Sequence, residues 1–260
     1  MLAADINDEK TPYIEEMLGT ASSLGIKHNW WRGFNFDNTR PYPPQIEALK
    51  PRVAALAKIQ EKYGMKAMYH PQGGPYFDQL ELVRNFDPRY ISLHYDTSHW
   101  LQVSQSNMAA MIMMGGAHIG GFVWKDGDVV KRDPAEIAAA AAAAAEGRGA
   151  GAPPPGGRGF SGGGGRGPGG GGGGRGGPAY NGWTTRQLPV GTGMVDFSVA
   201  ARALKAINFD GPTECQPEWT GLGGAENGRD TLTVPRETVI SLLKRDYDTI
   251  HAILVAAGIG

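Results

Sequence analysis

The sequence predicts an α/β fold built from parallel βαβ units. Two observations carry the prediction. Short apolar runs alternate with longer amphipathic stretches along most of the 260 residues, and glycine or proline marks nearly every boundary between them. Two architectures fit this pattern, a (β/α) barrel or an open doubly wound sheet. No G-x-G-x-x-G follows an early strand, which weighs against a nucleotide-binding open sheet.

The elements follow in order. Thr11-Pro12 opens a helix: Thr11 can cap, Pro12 suits the first turn, and Glu15 and Glu16 favour the positive N-terminal end. Gly25 stops it, and residues 26–31 read as a strand. Pro43-Pro44 starts a long helix whose apolar Ile46, Leu49, Val53, Leu56 and Ile59 recur near a 3.6 period, with Gly64 as its end. Strands are expected at 65–70, 90–96, 119–126 and 211–219. Helices are expected at 77–85, 104–114, 196–207 and 234–257, the last with Pro235 in its first turn. Asp133-Pro-Ala-Glu136, followed by eight alanines from Ala138 to Ala145, predicts a further short helix.

Residues 147–178 contain 19 glycines and four arginines with no acidic residue. Such a stretch cannot bury a core and reads as a disordered insertion. It interrupts a single domain spanning 1–260, because neither side looks complete alone. Its arginines are too sparse for an RNA-binding tail. The rest of the chain carries −5, against a total of −1, so no global field draws it to nucleic acid or membrane. Cys215 is the only cysteine, which excludes an intrachain disulfide and a thiolate zinc site. There is no apolar run of 18 residues, and the acidic start Met1–Lys10 lacks a signal-peptide core. As written, the sequence predicts a cytoplasmic protein, although an upstream region could carry an export signal.

The chemistry concentrates at strand ends. Asp96 closes the strand 90–96 and His99 follows three residues later. A hard oxygen and an imidazole nitrogen there make half of a divalent-metal site, where parallel α/β folds place their chemistry. The alternative is a capping aspartate and a polar loop histidine. His70 ends another strand before Pro71-Gln72-Gly73-Gly74, whose glycines permit close approach of a ligand to the backbone. Lys125 ends a third, either in the site or paired with Asp126. His28 and His94 lie beside or inside strands and read as packed core histidines. Trp30, Trp31, Trp124 and Trp219 offer apolar faces for a ligand, and core packing is an equal alternative.

Several motifs together resemble the sugar phosphate isomerase/epimerase family of xylose isomerase-like TIM barrels. They are Tyr95-Asp96-Thr97-Ser98-His99, Phe122-Val-Trp-Lys125-Asp126 and Leu188-Pro-Val-Gly191-Thr-Gly193-Met-Val195-Asp196-Phe197. Asn208-Phe-Asp-Gly211-Pro212, Glu218-Trp219-Thr-Gly-Leu-Gly223-Gly224-Ala-Glu226-Asn-Gly228 and Lys244-Arg245-Asp246 complete the set. The resemblance implies an eight-stranded barrel, of which the five visible strand candidates match the last five, so an incomplete barrel is expected. It also implies a divalent metal, manganese or similar, held by Glu, Asp, His and Glu at strand ends. Asp96 matches the Asp and Glu218 the final Glu, while Glu214 and Gln216 share its strand face and leave the register open. Val123 stands where many members have His, and the first Glu is replaced around His70 and Gln72. The expected metal set is therefore Asp96, His99, Glu218 and His70. Glu218, His70 and Lys125 are the expected catalytic groups, with Gln72, Trp31, Trp124 and Trp219 contacting substrate.

The function this implies is a metal-dependent sugar isomerase or epimerase, moving a proton next to a carbonyl through a metal-stabilised enediolate. Two alternatives stand beside it: a truncated, non-catalytic barrel that binds carbohydrate, and a keto-sugar lyase or dehydratase on the same scaffold. The expected partner is a small-molecule sugar or polyol, and a homo-oligomer is compatible with it. A DNA-repair endonuclease of the same superfold would need a three-metal cluster, for which six histidines and no basic face outside the insertion are a poor basis.

Overall fold

The computed structural model describes residues 1–34, 36–37, 39–70, 76–100, 107–131, 133–135, 183–229 and 231–259. Six strands form one parallel sheet: β1 (Leu2–Ile6), β2 (His28–Trp31), β3 (Lys66–Tyr69), β4 (Ile91–Asp96), β5 (Ile119–Trp124) and β8 (Thr213–Cys215), in that spatial order. The sheet curls as part of a barrel, with β1 and β8 as its edges. Strands β6 (Asp126–Lys131) and β7 (Trp183–Leu188) pair antiparallel as a separate ribbon.

The helices are α1 (Ile14–Ser23), α2 (Tyr42–Tyr63), α3 (Tyr76–Val83), α4 (Thr97–Trp100), α5 (Met108–Gly115), α6 (Phe197–Ala206) and α7 (Arg236–Ala256). None is long and apolar enough to cross a membrane among the described residues.

Period-two alternation gives the sheet two different faces. Trp31, Ala67, Tyr69, Leu93, Tyr95, Phe122 and Trp124 point to the helices and form the core with Leu18, Val53, Leu56, Leu80, Ile112, Ala200 and Leu204. Tyr95 stacks on Phe122 at 5.6 Å between ring centroids, and Phe122 meets Trp124 edge-on at 4.8 Å. Burying each such side chain contributes roughly 1.5–3 kcal/mol. The intervening residues, among them His70, His94, Asp96 and Lys125, occupy the opposite, inner face and are buried there.

The structure extends the sequence reading in several places. β1 is a sixth parallel strand in a stretch whose short, acidic pattern carries little strand signal, and it pairs with β2 through an irregular register. Helix α1 begins at Ile14 rather than near Thr11. Tyr13 is left-handed (φ 59) before it, and Thr11 Oγ1 instead accepts the N–H groups of Asn7 and Asp8. The run 119–126 divides at Lys125, where the chain leaves the sheet for the β6–β7 ribbon. Only Thr213–Cys215 of the run 211–219 is strand, since Pro217 cannot donate to a ladder. The helix expected after Asp133 and the 147–178 insertion lie outside the described residues.

Candidate functional site

The C-terminal ends of four neighbouring strands converge on the inner face. The register aligns Asp96 with Val123 and Val123 with Glu214, so β4, β5 and β8 present one layer of side chains. His70 follows β3, its N–H donating to Trp31 O at 2.9 Å. Between Leu93 and His94 the β4–β5 register shifts, leaving one extra residue on β5, as in a β-bulge. The bulge falls at Gly120-Gly121, and a β-carbon on Gly121 would lie 2.7 Å from His94 Cδ2. Glycine there makes room for the His94 ring.

Asp96 is the hub. Its Oδ1 accepts the N–H and the hydroxyl of Ser98, each at 2.8 Å. Its Oδ2 lies 3.3 Å from His70 Nε2 and 3.1 Å from Lys125 Nζ. Lys125 also reaches Glu218 Oε1 at 3.2 Å. Burial alone would lower the Lys125 pKa, but the two carboxylates outweigh it and hold it above the ordinary lysine value. Lys125 is therefore a fixed ammonium at neutral pH. On the other side of the cluster, His94 Nε2 lies 3.5 Å from Glu214 Oε1, and the Gln216 amide donates to the same oxygen at 2.6 Å. Burial raises the Glu214 pKa, with the Gln216 hydrogen bond opposing it.

Three structural devices hold these groups in place. Thr97 Oγ1 accepts the Lys125 N–H at 3.0 Å and donates to Lys125 O at 2.5 Å, joining the ends of β4 and β5. Asp126, buried beside Lys125, accepts the N–H groups of Gly127, Gly191, Gly193 and Val195 at 2.8–3.2 Å, fixing the loop into α6. Trp219 Nε1 donates to Asp246 Oδ2 at 2.9 Å, and Arg245 lies over its ring at 5.1 Å. That contact pins the segment after β8, and with it Glu218, to α7.

His70, His94 and Glu214 each offer a ligand atom within 4.8 Å of the others. Two imidazoles and a carboxylate are a donor set suited to zinc, manganese or iron. A carboxylate on one ring nitrogen of His70, supplied by Asp96, is the usual second contact that orients a metal-bound histidine. The residues fit a divalent ion.

Of the residues read from sequence, His70, Asp96, Lys125 and Glu218 come together. Glu218 meets Lys125, whereas Glu214 is the carboxylate beside the histidines. His94, read as a packed core histidine, belongs to the cluster instead. It sits two residues before Asp96, and period-two alternation from Asp96 is the signal that finds it. His99 lies on α4, with its side chain outside the described part, and Gln72 lies outside the described residues. Trp31 and Trp124 are fully buried on the helix side, and Trp219 is buried against Asp246. Trp30 is on the inner face, its ring centroid 5.1 Å from that of His70.

Comparison with known proteins bears on the fold. The IOLI protein, solved with a zinc atom, matches at TM-score 0.59 and 15% identity, over 97% of this chain and 77% of that one. D-psicose 3-epimerase from Clostridium cellulolyticum H10, solved with D-tagatose, matches at 0.54 and 11% over the same shares. The E. coli 3-keto-D-glucoside 4-epimerase YcjR matches at 0.52 and 11%, over 95% and 79%. No curated protein sequence matches the chain. The sequence profile of one family covers residues 3–237; the chain belongs to the xylose isomerase-like TIM barrels.

Proposed function

We propose that the protein is a metal-dependent isomerase or epimerase acting on a ketose or a related keto-sugar. The observation that carries this reading is the His70–His94–Glu214 group facing a charged, buried Lys125 at the strand ends. The sugar epimerases among its structural neighbours support the substrate class. His70, His94 and Glu214 would hold the divalent ion, with Asp96 orienting His70. When bound, the ion supplies Lewis acidity to a substrate carbonyl oxygen.

The chain's own residues supply the remainder. Glu218, partly exposed, takes the proton from the carbon beside the carbonyl. The C–H electrons move into a carbon–carbon double bond, and negative charge gathers on oxygen. The Lys125 ammonium, itself buried, stabilises that charge. Return of that proton from Glu218 to the former carbonyl carbon, as the hydroxyl proton of the other carbon passes to the former carbonyl oxygen, isomerises. Epimerisation instead takes a proton onto the original carbon from a second acid on the opposite face, such as water, while Glu218 keeps the one it removed. Val123, at the position where many family members carry His, favours one further reading, a barrel that binds carbohydrate without turnover.

Calorimetry of Mn²⁺ on metal-stripped protein, beside a turnover screen of ketoses, separates the two. The expected result is saturable binding lost in His94→Ala, with turnover lost in Glu218→Gln while its Mn²⁺ binding persists. A folded protein that binds no divalent ion overturns the metal mechanism. Sugar binding with no turnover in any ketose selects the non-catalytic reading.

A further inference from the structure

We propose that the Trp30 indole N–H is a ligand-binding donor that hydrogen-bonds an oxygen of a polyhydroxylated substrate lying against His70 and His94. The substrate class rests on the function proposed above; the donor itself is read from geometry.

Trp30 is the third residue of β2. Its neighbours Asn29 and Trp31 are fully buried, whereas Trp30 is only partly so. Its ring stands edge-on to His70 (5.1 Å, 87°) and tilted to His94 (6.1 Å, 46°). Nε1 is nevertheless buried and has no hydrogen-bond partner among the described residues. Other indoles of the chain are satisfied: Trp31 donates to Asn7 O and Trp219 to Asp246, both at 2.9 Å. Trp124 also lacks a partner, but its ring is sealed among Phe122 and Phe197 in the apolar core. Trp30 differs in lying beside the polar cluster with part of its surface open.

An indole N–H can only donate, and a desolvated donor without an acceptor is unfavourable. A hydroxyl or carbonyl oxygen of a sugar supplies that acceptor, and the indole face suits the C–H face of the same ring or chain. A resident water would satisfy the donor equally well, so the test must separate ligand from water.

The experiment uses the full chain with ¹⁵N-labelled tryptophan, titrated with D-psicose and D-tagatose. Calorimetry of both sugars and of Mn²⁺ is run in parallel on wild type and Trp30→Phe. The Trp30 indole signal is identified by its loss in the variant. The expected result is a saturable shift of that signal, with sugar affinity weakened about tenfold in Trp30→Phe and Mn²⁺ affinity unchanged. Sugar binding that leaves the Trp30 signal fixed and the variant's affinity equal assigns the donor to water and overturns the proposal. Mn²⁺ binding with no affinity for either sugar overturns it too, while the metal centre stands. Sugar binding that depends on Trp30 in a protein indifferent to Mn²⁺ supports the proposal and defeats the metal half of the proposed function.

Discussion

Asp96 and Asp126 are buried carboxylates at the ends of neighbouring segments of the barrel wall, yet their surroundings differ in kind. Asp126 accepts four backbone N–H groups. Among the described residues, the contacts of Asp96 include one backbone N–H and the side chains of Ser98, His70 and Lys125. Backbone donors are fixed by the fold and cannot turn toward a ligand. Side-chain donors can be shared with one. The first arrangement builds a loop, and the second leaves charge available for chemistry. Lys125 and Asp126, adjacent in sequence, divide the same way, one facing the site and the other the loop.

Substitutions sharpen the contrast. The largest effect is expected for Asp126→Ala, which strands several buried N–H groups and should cost about 3–5 kcal/mol of folding stability, read by urea denaturation. A loss under about 1 kcal/mol would mean that the loop does not depend on the carboxylate. Asp96→Asn should reverse the balance. Ketose turnover should fall on the order of 10²-fold, about 2.7 kcal/mol, as Lys125 and His70 lose their counter-charge, with a loss of stability smaller than that of Asp126→Ala because Glu218 still pairs with Lys125. Equal turnover in variant and wild type would move Asp96 to the structural class.

Thr97→Val tests the tie between the two strand ends. It leaves the buried Lys125 N–H without an acceptor, and the expected cost is about 1–3 kcal/mol in the same denaturation measurement. The smallest effect belongs to a third aspartate. Asp196 caps α6 by accepting the N–H groups of Ser198 and Val199, and the Ser198 hydroxyl, with those N–H groups, holds its pKa below the ordinary value of 3.8. A depressed folded-state pKa gives stability that is present above 3.8 and lost as pH falls through the folded value. Asp196→Ala should therefore cost about 1 kcal/mol at pH 7, and the gap from wild type should shrink below pH 3.8. A gap that stays constant with pH would show that the cap does not act through its charge.

Much of the architecture was legible because it rests on local rules. Strand–helix alternation and glycine stops located β2 to β5, α2 and α7; strand-end position pointed to Asp96 and His70, and the family resemblance added Lys125. What escaped depends on pairing between distant segments. β1 has no pattern of its own and is defined by its neighbour β2. β6 and β7 make sense only as partners across more than 50 residues of sequence. His94 looked like a core histidine because a buried imidazole inside a strand reads the same on either face, and only the phase set by Asp96 distinguishes them. Glu214 and Glu218 were not separable because the strand ends at Cys215, before alternation reaches the second.

The β6–β7 ribbon has a consequence for engineering. Six residue pairs, from Asp126↔Leu188 to Lys131↔Trp183, bring the two ends of the intervening sequence to adjacent points, and Arg186 pairs with Asp128 along the way. Doubling the length of a chain that leaves and re-enters at one place costs only about 0.6 kcal/mol in loop closure. The tip of the ribbon is thus a port for cargo. A reporter domain could be spliced there, or the stretch replaced by a two-residue turn, and the strand-end cluster would be insulated from the exchange by the Asp126 clamp.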